Sequence, residues 1–74
     1  MTKERAIKHL ERAKEHLAYL NESYVKNERN KHPMMDINWD YTSGLTLRET
    51  RRKDILDDMA DVKERIARLQ RIAL

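Results

Sequence analysis

Acidic and amide side chains alternate with bulky apolar ones in the stretch DINWDYTSG, Asp36 to Gly44. Oxygen donors at every second position are what a calcium loop offers to a hard cation. Asp36, Asn38 and Asp40 would fill the first three ligand positions of such a loop. Tyr41 then falls where the loop needs glycine, and Leu47 where it needs a bidentate glutamate. The sharp turn and the charge-closing ligand are both missing, so no metal is expected here. Read as a strand, the stretch points Ile37, Trp39 and Tyr41 one way and Asp36, Asn38 and Asp40 the other. A lone strand must find its backbone partners in a second subunit or at the edge of a partner's sheet. The other reading is a loop folded over the end of the molecule, with Trp39 as its plug. The sequence leaves the intermolecular strand and the loop plug both open.

Other chemistry finds less support. His9 and His16 stand seven residues apart, two helical turns or roughly 10 Å of rise, too far to share a metal. Neither HExxH nor a Glu-x-x-His pair occurs, so a carboxylate-bridged metal bundle is not indicated. A single glycine cannot build a phosphate-cradling loop, and the absence of cysteine removes thiolate nucleophiles, disulfides and Cys-type zinc sites together. Ser23 and Ser43 have no neighbour arranged as a base. No catalytic residue, cofactor or enzymatic activity is expected.

Charge is more informative. Residues 26–53 hold seven basic and four acidic side chains, and the other positions hold nine of each, so the whole net charge of +3 resides in the middle of the chain. RETRRK, Arg48 to Lys53, crowds cations where a helix is about to begin and where the helix dipole favours acids. Such an end is suited to hold an anion. Arg48, Arg51, Arg52, Arg29 and Lys31, with Trp39, Tyr41, Met34 and Met35 for apolar or stacking contacts, form the candidate partner-binding surface.

Two helices must position these residues. Ala6, Leu10, Ala13, Leu17, Leu20 and Tyr24 repeat at alternating steps of four and three, the seam of a coiled coil. The pattern fades at Asn27, and Pro33 closes the element. Thr46-Leu47-Arg48-Glu49 has the form of a capping box, and Ile55, Met59, Val62, Ile66, Leu69 and Ala73 then repeat with the same period. The expected fold is all-α, an antiparallel two-helix hairpin: helix 1 about 2–29, a connector about 30–45, and helix 2 about 46–73 of a single domain. In that pairing His16 falls near Asp58 and Arg12 near Asp61, within an acidic flank of Asp54, Asp57, Asp58 and Asp61.

Two helices cannot enclose a core, and 74 residues bury little apolar surface. Ile7, Val25, Leu56 and Ile72 widen the apolar face beyond the seam. A second copy, making a helical bundle with Leu10, Leu17, Leu20, Tyr24, Ile55, Met59, Val62, Ile66 and Leu69 as its core, is the expected remedy, with capture by another protein as the alternative. No apolar run approaches the roughly 18 residues of a membrane span, so no membrane partner is expected and the chain reads as soluble and cytoplasmic. In size, charge density and hairpin pattern it is similar in style to small accessory proteins of bacteriophages and other mobile elements, many of which inhibit a host factor. That likeness has no motif behind it and transfers no residues. The functional expectation is a non-enzymatic inhibitor, adaptor or regulator that engages a protein through its loop end. The alternative is a nucleic acid or small nucleotide, held by arginine and stacked on Trp39 or Tyr41.

Overall fold

A computed structural model describes residues 2–37 and 40–74. Two helices of equal length, α1 (Lys3–Arg29) and α2 (Leu47–Ala73), pack along their length as a helical hairpin, with a 3-10 turn at Pro33–Asp36 between them. Each helix begins at a threonine whose hydroxyl accepts a backbone N–H three residues on: Arg5 N–H to Thr2 at 3.3 Å, and Glu49 N–H to Thr46 at 3.2 Å. The capping box at Thr46 closes through its side chains, the threonine hydroxyl donating to Glu49 Oε1 at 3.3 Å.

The seam divides into two lines of unequal burial. Ala6, Ala13, Leu20 and Asn27, spaced by seven, are buried on α1, and Val62 and Leu69 are buried on α2. The intervening seam residues Leu10, Leu17, Met59 and Ile66 are half-buried and pack against that line. Ile55 and Tyr24, also expected in the core, are half-buried. The seam therefore does not fade at Asn27: the residue occupies the next seven-residue position, 6 % exposed, with its amide turned inward. The molecule measures 48 × 24 × 12 Å, long and one helix layer thick. No helix among the described residues is long and apolar enough to cross a membrane.

Candidate functional site at the bend

Antiparallel pairing sets the first turn of α2 against the last turn of α1, and this juxtaposition explains the arginines. The C-terminal carbonyls of a helix lack intrahelical donors and carry the negative end of its dipole. Arg48 lies seven residues before Ile55, on the inward line of α2, and sends its guanidinium across to them. It donates to the carbonyls of Asn27 and Asn30, and to that of Glu28 at 3.2 Å. Its Nε reaches Asp36 Oδ1 in the connector at 2.9 Å, and Nη2 reaches Oδ2 at 3.4 Å. One turn further along, Arg52 holds Glu28 through two hydrogen bonds of 2.6 and 2.9 Å. Asn27 returns the contact, its Nδ2 donating to the Arg48 carbonyl at 3.1 Å. Its Oδ1 is buried and accepts no hydrogen bond from any described residue. Cations that burden the start of their own helix thus complement the end of its neighbour.

The electrostatics follow. The hydrogen bond from Arg48 holds the Asp36 carboxyl below the usual carboxylate range. The hydrogen bond from Arg52 does the same for Glu28. Asp40 is lowered chiefly by the backbone N–H of Thr42, which donates to its Oδ1 at 2.9 Å, and then by the Ser43 side chain.

Local chemistry shapes the connector. His32 accepts Met34 N–H on Nδ1 at 3.2 Å and Met35 N–H on its carbonyl at 3.0 Å, which starts the 3-10 turn at Pro33. That turn drives Met35 inward, to 2 % exposure. After it, the Asp40 carbonyl accepts Gly44 N–H at 2.8 Å, closing a five-residue turn that carries Tyr41 at its crest. Gly44 ends the turn at φ 70°, in the left-handed region that a side chain disfavours.

The structure therefore sorts the sequence candidates into two groups. Arg48, Arg52 and Met35 serve the bend itself: the arginines are bound to the chain's own carboxylates and carbonyls, and Met35, expected among the partner contacts, is an internal plug. Tyr41, Ile37 and Met34 remain at the surface, Tyr41 fully exposed, and so do the cations Arg29, Lys31 and Arg51. Trp39, expected as a loop plug or a partner contact, lies outside the described residues, as does Asn38. The alternating strand is not formed among the described residues, where Pro33–Asp36 is a 3-10 turn and Tyr41 to Ser43 a turn. Asp36 and Asp40, read above against a calcium loop, instead take an arginine and a backbone amide. Among the described residues no three His, Asp or Glu side chains are placed to hold a metal ion. No family model, curated protein or solved structure matches this chain.

Spacing could have placed two residues that read differently in the sequence, Asn27 as the end of the seam and Arg48 as a partner contact. Asn27 is seven beyond Leu20 and Arg48 is seven before Ile55, so both sit on the inward lines although both are polar. The expected flank pairs do not form. Among the described residues no ion pair joins His16 to Asp58 or Arg12 to Asp61, and the ion pair linking the two helices directly is Arg52–Glu28. His9, Arg12 and His16 instead line an open groove of about 440 Å³ with Arg65, over Ala13 and Leu69. Exposed pairs are worth about 0–1 kcal/mol, too little to hold long side chains together across that groove.

Proposed function

We propose that the chain is a non-enzymatic interaction module, of the inhibitor, adaptor or regulator kind, that engages a protein partner through the bend. The observation that carries this reading is Tyr41: a tyrosine standing fully exposed on a turn that is closed by its own hydrogen bonds and ended by a left-handed glycine. Tyrosine and arginine are the side chains most often decisive in protein interfaces. Ile37 and Met34 add apolar surface nearby, and Arg29, Lys31 and Arg51 add positive charge that suits an acidic partner surface. Arg48 holds the connector through Asp36, and Arg52 ties α2 to the end of α1 through Glu28, so little ordering is left to be done on binding.

The nucleotide alternative has fewer cations to use than the sequence suggests. Two of the seven basic residues at this end, Arg48 and Arg52, are engaged internally.

Affinity purification from the native host, with mass spectrometry of the proteins and nucleotides recovered together, tests the reading. Tyr41→Ala and the triple change Arg29→Ala/Lys31→Ala/Arg51→Ala are expected each to lose the partner about tenfold or more, the effect of removing one strong contact. Tyr19→Ala, an exposed tyrosine in the middle of α1, should retain it. If both bend variants recover everything that the parent does, the bend is not the binding surface.

A further inference from the structure

We propose that a second copy of this chain covers the open apolar side of the hairpin, giving a four-helix bundle whose two bends lie at opposite ends. This inference concerns the length of the helices and stands apart from what binds the bend.

The first argument is area. A compact monomer of 8.9 kDa exposes about 4,800 Å² by the usual scaling with mass. This chain exposes 6007 Å². The excess is on the order of 1,200 Å², and each partner in a stable protein pair buries about 800 Å². The Cα radius of gyration agrees: 16.2 Å, against about 11 Å for a compact chain of this length.

The second argument is sidedness. Ile7 lies three residues before Leu10, and Leu56 three before Met59, so each extends the half-buried line along the same side of its helix. Both are exposed, at 43 % and 46 %. The other side of the hairpin carries the groove of His9, Arg12, His16 and Arg65. The side with Ile7 and Leu56 is therefore the more apolar one, although Ile72, seven residues after Arg65, is an exposed apolar residue on the groove side. A domain needs at least two packed layers to shield its apolar faces, and this one is 12 Å thick and 24 Å wide. A second hairpin laid on the apolar face would bring the thickness to about the width, the square section of a four-helix bundle.

The third argument is charge, and it sets the orientation. The bend end, residues 26–53, holds the entire net charge of +3, and the remaining positions are balanced. Two bends side by side would set like charges together. Reversing one hairpin places each bend over the neutral end of the other.

Light scattering on the full chain at about 100 µM, well above a micromolar dissociation constant, tests the second copy. The expected mass is twice 8.9 kDa. A single-chain mass, or one above two chains, would overturn the proposal. Ile7→Glu/Leu56→Glu alters side chains already exposed in the single hairpin and should return the mass to one chain. Tyr19→Glu should leave it doubled. A doubled mass in the Ile7→Glu/Leu56→Glu protein would place the interface elsewhere and sink the proposed face. Because the chain has no cysteine, a single Thr42→Cys carries a spin label without further changes. Opposite bends predict a label separation near the 48 Å length of the hairpin. A separation well below half that length, close to the roughly 10 Å between stacked layers, would mean bends at the same end and would contradict the orientation.

Discussion

Arg48 is the residue whose role changes most between sequence and structure. As one of a run of cations it reads as a ligand-binding group. In the fold it is a cap supplied to one helix by the other, a contact whose two halves are 18 to 21 residues apart in the chain. The spacing of seven from Ile55 was visible, but an arginine on an inward line has no meaning until the facing turn is known. Arg48→Ala should lower the melting temperature clearly more than Arg51→Ala, since Arg51 is exposed and has no ion pair among the described residues. Circular dichroism of the two variants compares them directly. Arg48→Lys should fall between, because an ammonium keeps the charge but cannot reach three carbonyls and a carboxylate together. Acid has a defined sign here. Asp36 and Glu28 have lowered pKa values in the fold, so their contribution is present above the unfolded carboxyl range and is lost as pH falls through the folded values. Melting temperature should therefore drop below about pH 4, and Asp36→Asn should flatten part of that drop. An unchanged acid profile in Asp36→Asn would remove the Arg48–Asp36 contact from the account.

At the scale of elements, both helices and their pairing were legible because period, caps and breakers agreed. The capping box at Thr46 starts α2, Pro33 closes the element before the connector, and the four-and-three repeat selects the inward side. The connector was not legible, for a physical reason. DINWDYTSG alternates like a strand, but its second half is held in a turn in which the Asp40 carboxylate accepts Thr42 N–H. Flank pairing failed as a guide because exposed charges contribute too little to fix side chains. Two substitutions check the element-level energetics by chemical denaturation. Leu20→Ala removes the largest buried side chain of α1 and should cost about 2–3 kcal/mol, whereas Leu74→Ala, at the exposed terminus, should cost under about 0.5 kcal/mol. Gly44→Ala meets no atom within 4 Å, so its cost of about 1 kcal/mol would come from the left-handed backbone alone. A neutral Gly44→Ala would show that the turn is not held at that geometry.

At the scale of the whole molecule, the hairpin divides its labour. Its bend is braced by groups from both helices and displays tyrosine and cations. Its length carries a seam that is buried along one line and half-open along the other. In the proposed assembly, two hairpins stacked face to face keep both bends exposed at opposite ends of one rod. Small-angle X-ray scattering distinguishes face-to-face stacking from a lone hairpin and from end-to-end contact. Stacking two layers about 10 Å apart adds little to a radius of gyration of 16.2 Å, so forward scattering should double while the radius stays at about 17 Å. Unchanged forward scattering, or a doubled value with a radius near about 29 Å as end-to-end contact through the bends requires, would contradict the account.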